Sequence, residues 1–190
     1  MTIIWHLRKI QTMGFLNKTK CYLAGGIQNF NGFEWRNEIS CDLQSLGIVP
    51  FNPLDKPFIN SAPEDKDIHA WLASQMEKGD FTTVRNYMIR VRRLDYRMID
   101  NSDFVIAHIH PTIASWGTAS ELDFCERSMK PTFIAVDGGI KKTPYWLLAM
   151  FDECCFFNSI DDIFQEICAL DSEEKPLNDK YWRLLRENLR

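Results

Sequence analysis

Short apolar runs alternate with amphipathic stretches along most of this chain. Residues 20–24 (KCYLA) predict a buried strand that empties into Gly25-Gly26 and a polar loop, QNFNGF. Over 34–46, Trp35, Ile39, Leu43 and Leu46 recur at helical spacing, and Gly47 is a natural C-terminal stop. Ile48-Val49 begins a second short strand, closed by FNPLDKP, whose prolines forbid regular structure. The polar stretch 61–80 leaves room for a loop and a short helix around 68–76. A long helix is predicted over 82–99, with Val84, Met88, Val91, Leu94 and Met98 marking its core face. There follow a strand at 104–109, the loop HPTIASW and a helix opening at Gly117-Thr118. A strand at 131–136, a short helix at 144–150, a last strand at 153–157 and a helix at 161–170 complete the pattern.

Strands that alternate with helices imply a single α/β domain. Its five-stranded, largely parallel sheet would be doubly wound, with helices on both faces. That domain spans 19–170, after an extension (1–18) without clear period and before a linker and short amphipathic helix (171–190). In open parallel sheets, ligands bind beyond the carboxyl ends of the strands. The loops at 25–33, 50–57, 110–116 and 137–143 are therefore the ones that matter.

Composition narrows the function. A net charge of -4 offers no global basic field for nucleic acid, and a small-molecule substrate fits it better. Arg85, Arg90, Arg92, Arg93 and Arg97 spread around the long helix rather than forming a binding stripe, and Arg90, Arg93 and Arg97 read as a solvated face. The six cysteines lie in apolar stretches without C-x-x-C spacing, which predicts reduced thiols in a cytoplasmic core. Cys154 and Cys155 read as buried strand residues. His108 and His110 lack the companions a zinc site needs, so no metal is expected. No apolar run approaches the ~18 residues of a membrane span, and the opening MTIIWHLRKIQ is no convincing signal peptide.

Four features carry candidate chemistry. Asp95 falls on or beside the apolar stripe of the long helix, where a carboxylate must be paired or open onto a polar cavity. A salt bridge to Arg92 or another local arginine is one reading; a site carboxylate is the other. Glu121 falls in the first turn of a helix facing the crevice, where the helix dipole favours the ionised form. Thr118 and Glu121 also fit a T-x-x-E capping box, a purely structural role. Finally, Tyr22-Leu-Ala-Gly25-Gly26 lets a ligand approach the backbone closely, although neither a G-x-G-x-x-G nor a Walker lysine is present. Ser115 with the N–H groups of Gly117 and Thr118 forms a candidate anion site at a helix start.

Together these pieces resemble the nucleoside 2-deoxyribosyltransferase-like family, including its 2'-deoxynucleoside 5'-phosphate N-hydrolase branch. The resemblance rests on Tyr22-Leu-Ala-Gly-Gly, on Asp95 followed by Asp103 in LDYRMIDNSDFVIA, and on Ser115-Trp-Gly-Thr-Ala-Ser-Glu121-Leu. Trp35-Arg36, Asn52-Pro53 and Lys130-Pro131 add to it, and it covers about residues 20–160. It implies a Rossmann/flavodoxin-like fold and cleavage of an N-glycosidic bond without cofactor or metal. Glu121 would be the nucleophile, Tyr22 would aim it, and Asp95 would protonate the leaving base. Gly25, Gly26, Ser115, Gly117 and Thr118 would line the substrate site. A homo-oligomer, at least a dimer, is also implied.

The chain departs from the transferases at Ser115, where they often carry aspartate; serine there resembles the branch acting on 5'-monophosphates. TPYWLL, at 143–148, shows no match to the family's neighbour-subunit residues. Two other readings stand beside this one. A lysine-decarboxylase-like phosphoribohydrolase would want a richer P-G-G-x-G-T run, and a non-catalytic nucleotide-sensing module could use the same crevice.

Overall fold

The computed structural model describes residues 14–27, 32–58, 62–113 and 115–174. The helix expected at 181–190 and most of the N-terminal extension lie outside them. Five strands form one sheet: β1 (Lys20–Gly25), β2 (Val49–Phe51), β3 (Phe104–Ile109), β4 (Thr132–Val136) and β5 (Phe156–Phe157). Among the described residues, six α-helices connect or cover them: α1 (Glu34–Ser45), α2 (Lys66–Glu77), α3 (Phe81–Asp100), α4 (Trp116–Arg127), α5 (Tyr145–Met150) and α6 (Ile160–Asp171). The strand order is β2-β1-β3-β4-β5 and every pairing is parallel, which is the flavodoxin-like, doubly wound order. The order reverses between β1 and β3, so the crevice for a ligand lies beyond the carboxyl ends of those two strands.

The period of two along each strand sorts the core into two layers. Cys21 and Leu23 of β1 face α1 and α6, with Leu43, Phe104 and Ile167. Tyr22 and Ala24 face the opposite way, with Met98 of α3, Leu122 of α4 and Phe151 after α5. That alternation sends the Tyr22 side chain toward the helices that carry Asp95 and Glu121. Gly47 ends α1 with φ 76°, the left-handed region in which glycine has no steric cost.

Three local expectations are corrected. Val84 and Met88 do not pack on the core; the buried residues of α3 are Val91, Asp95, Met98 and Ile99. Its N-terminal half packs instead on α2, where Trp71 and Tyr87 meet edge to face at 5.7 Å. The last strand contains only Phe156 and Phe157, because Glu153–Cys155 winds into a 3-10 turn and β5, at the edge, pairs with β4 alone. Cys154 is consequently exposed, as is Cys41, whereas Cys21, Cys125 and Cys155 are buried. Ahead of β1, Leu16 is fully buried in the α1/α6 layer, and its N–H donates to Asp171 Oδ1 at 2.7 Å. Among the described residues, no helix is long and apolar enough to cross a membrane.

Candidate active site

Glu121 lies beside the inner stripe of α4, next to buried Thr118, Leu122 and Cys125. Fully buried Tyr22 reaches it from β1, and its hydroxyl donates to Glu121 Oε1 at 2.8 Å. The helix opens at Trp116, with Ser115 as its cap: Ser115 Oγ accepts the Thr118 N–H at 3.4 Å and pairs with Thr118 Oγ1 at 2.8 Å. The capping-box reading therefore fails. Thr118 stands where a capping glutamate would, and Glu121 sits nearly a turn further along, outside the first turn. Dipole stabilisation of the anion does not decide its ionisation either. Burial pushes its carboxyl up to about 7, helped by the charge of Asp95 and opposed by the Tyr22 hydrogen bond and the Arg36 guanidinium.

Asp95 is buried on α3, and its partner is Lys56 rather than Arg92. The guanidinium of Arg92 stacks on Tyr96 at 4.5 Å and donates to its hydroxyl. Lys56 comes from the loop after β2. Asn52 folds that loop by accepting the Leu54 N–H on its side chain and the Asp55 N–H on its carbonyl. Lys56 Nζ lies 2.8 Å from Asp95 Oδ1 and 2.5 Å from Glu64 Oε1, and donates to the Pro53 carbonyl. The contact with Asp95 is a close ion pair that favours its carboxylate form. Burial raises the Asp95 carboxyl to about 6; the cation of Lys56 opposes this and Glu64 adds to it.

Arg36 is the largest fully buried side chain. It donates to the carbonyls of Leu23, Gly25 and Gly32, and so fastens the end of β1 to the loop beyond it. A side chain at Gly25 would crowd Arg36, Trp35 and the His108 carbonyl at 3.1 Å, so glycine is required there. At Gly26 and Gly117 a side chain would meet open space.

A cavity of about 450 Å³ gathers these groups. Gly25, Asp95, Ser115, Gly117, Thr118 and Glu121 line it, and Tyr22 lies beneath Glu121. Glu64 and His69, which no motif singled out, line it too, and His69 Nε2 is buried without a hydrogen-bond partner among the described residues. Gly26 lies apart, in a second cavity of about 520 Å³ that shares Ser115 and Thr118 with the first. There His108 Nε2 lies 2.6 Å from Asp137 Oδ1. His110 is exposed and bonds Thr112, so the His-x-His pair does not converge. Among the described residues no group of three metal-ligating side chains converges. Asp103 has a backbone role, accepting the Lys20 N–H at 2.7 Å.

Fold and crevice define a flavodoxin-like α/β protein with two raised carboxyls at the switch point, one of them held by a buried tyrosine. No family model and no curated protein matches the chain. Among solved structures it is similar to a 2-deoxyribosyltransferase from Bacillus psychrosaccharolyticus, at 18% identity over 77% of this chain and 90% of that one, with a TM-score of 0.53. This likeness establishes a shared fold. It is also similar to the CMP N-glycosidase BcmB of Clostridium botulinum, at 15% identity over 79% of this chain and 98% of that one, with a TM-score of 0.47.

Proposed function

We propose that this protein cleaves the N-glycosidic bond of a deoxynucleoside or nucleoside, or of its 5'-monophosphate, through a glycosyl ester on Glu121. One observation carries the reading: Tyr22 Oη holds Glu121 Oε1 at 2.8 Å, in a cavity whose other wall presents Asp95. The name of the first structural neighbour, a 2-deoxyribosyltransferase, agrees with it. Ionised Glu121 attacks the anomeric carbon from the face opposite the base. As the carbon–nitrogen bond breaks, the base leaves with a proton from Asp95. Water or a second base then opens the ester, its proton returns to Asp95, and Glu121 is released as the carboxylate.

The environment supports that division. Two raised carboxyls in one desolvated cavity favour the state in which one holds the proton and the other does not, as in retaining glycoside hydrolysis. Tyr22 and Arg36 oppose the rise of the Glu121 carboxyl, and the Tyr22 contact aims it for attack. Because Glu121 stands at about 7 against about 6 for Asp95, the shared proton must pass to Asp95 as the reacting state forms. Ser115 and the uncrowded Gly117 at the start of α4 favour a 5'-phosphate at that end of the cavity. Trp116, Tyr145 and Trp146, all largely exposed, give apolar surface for a second copy of the chain to cover. We place the enzyme in the cytoplasm, in nucleotide salvage.

The test is release of free base from deoxynucleosides and their monophosphates, with and without a second base. Release that disappears in Glu121→Ala is the expected result. Tight binding with no release from any substrate would leave a nucleotide-sensing module instead.

A further inference from the structure

Lys56 has no part in the steps above, yet it is a deeply buried charged group behind the cavity wall, in contact with two carboxylates that line it. Its side chain is 1% exposed, against 10% for Glu64 and 11% for Asp95. Desolvating an ammonium costs several kcal/mol unless well-placed anions offset it. Lys56 is a single cation between two carboxylates, so the cluster remains one charge short of neutral while both are ionised. A bound proton relieves that imbalance. Asp95 is the natural place for it, because Glu64 takes the closer contact with the ammonium, 2.5 Å against 2.8 Å, and is the better-held anion of the two.

We propose that Lys56 is a positioning residue for the acid: by bridging Asp95 and Glu64 it fixes where Asp95 stands and how readily Asp95 gives up its proton. The other charged groups near Asp95 leave it this role. Arg36 reaches the site from α1 but spends its hydrogen bonds on backbone carbonyls. Glu121 on α4 and Tyr22 on β1 are engaged with each other. Arg92 is stacked on Tyr96, and His69 lines the same wall from α2 with Nε2 unpaired. The bridge also explains the loop after β2. Asn52-Pro53 makes the turn that aims Lys56 inward, and Tyr87 on α3 holds the Pro63 carbonyl at 2.6 Å, next to Glu64. Lys56 and Glu64, on the described parts of the β2–α2 connection, are thus joined by the same cluster that tunes Asp95.

The effect on Asp95 can be read without the reaction; only its effect on rate rests on the function proposed above. Carboxyl carbon NMR of aspartate-labelled protein, with the Asp95 signal assigned by its loss in Asp95→Asn, follows Asp95 through a titration. Lys56→Met should move its midpoint upward by about one to three pH units, the usual effect of a neighbouring opposite charge. Glu64→Gln should move it downward, and the double variant should fall between the two. An Asp95 midpoint that stays in place in Lys56→Met overturns the proposal, even if the protein melts lower. Should Lys56→Met fail to fold, Glu64→Gln decides alone, a downward shift supporting the bridge and an unmoved midpoint overturning it. The pH optimum for base release should shift in the same directions. A titration that moves while the rate profile does not would uphold the bridge and remove Asp95 as the acid.

Discussion

Tyr22→Phe removes one oxygen from a fully buried side chain and leaves the ring in place. The lost contact is the 2.8 Å hydrogen bond to Glu121 Oε1. A hydrogen bond to a charged group contributes about 1.5–3 kcal/mol, so the variant should lose roughly 10- to 150-fold in kcat/KM where Glu121 must ionise. The direction with pH follows from the same contact. The Tyr22 hydrogen bond holds the Glu121 carboxyl down against burial, so its removal lets that carboxyl rise above about 7. The acid limb of the rate profile should therefore move upward, and the deficit should shrink as pH rises and both enzymes ionise. The fold should tolerate the change, because the phenyl ring keeps the packing of Tyr22 against Met98 and Leu122. The assay is base release across pH, with melting temperature on the same samples. Activity within twofold of wild type, with an unmoved acid limb, would refute the reasoning and detach Tyr22 from the nucleophile.

Glu121→Ala should lose at least ~10³-fold in turnover, as covalent catalysts do without their attacking group, while still binding substrate in equilibrium dialysis. Stability should fall as pH rises from the ordinary carboxylate range through about 7. The folded state holds protons on Asp95 and Glu121 that the unfolded chain has released, and stability drops where the native state binds more protons. Glu121→Gln should flatten that slope in melting curves between pH 5 and 8; an unchanged slope would show that Glu121 does not titrate there. Ser115→Ala removes the cap of α4 at about 1 kcal/mol, read as a lower melting temperature. It should raise KM for monophosphates more than for nucleosides, and equal effects on both would end the phosphate role of Ser115.

How far the sequence carried the argument depended on whether a feature is local. The run KCYLA was legible as a buried strand, the helical period put Asp95 on or beside the apolar stripe of α3, and both placements hold. The alternation of strands and helices was enough for the parallel sheet and its crevice. Partners from other elements were not legible. Lys56 sits in a proline-containing loop with no period, and nothing in FNPLDKP says that its ammonium turns inward to α3. The arginines near Asp95 in sequence were the obvious candidates, but helical geometry sends Arg92 to Tyr96, one turn on. Glu121 was found for a partly mistaken reason. Its place was read from the helix start, and that start lies one residue earlier because Ser115, with an extended backbone and its hydroxyl accepting the Thr118 N–H, is the cap. Cys154 misled because adjacent cysteines look like strand interior when their acidic neighbours Asp152 and Glu153 are left out of the reading.

The clasp between Leu16 and Asp171 has a practical consequence for handling this protein. The Leu16 and Phe15 N–H groups both bond Asp171, and a larger residue at Gly14 would have to displace the Asp171 carboxylate from its place. The chain therefore enters and leaves the sheet through one doorway, on the α1/α6 side, while the catalytic candidates open on the other layer. A surface tether attached at residue 14 or 171 would hold the domain through the α1/α6 layer, opposite the layer that contains Tyr22 and Leu122. A peptide joining residue 171 back to residue 14 would need to span only a short gap, which makes this domain a good subject for circular permutation.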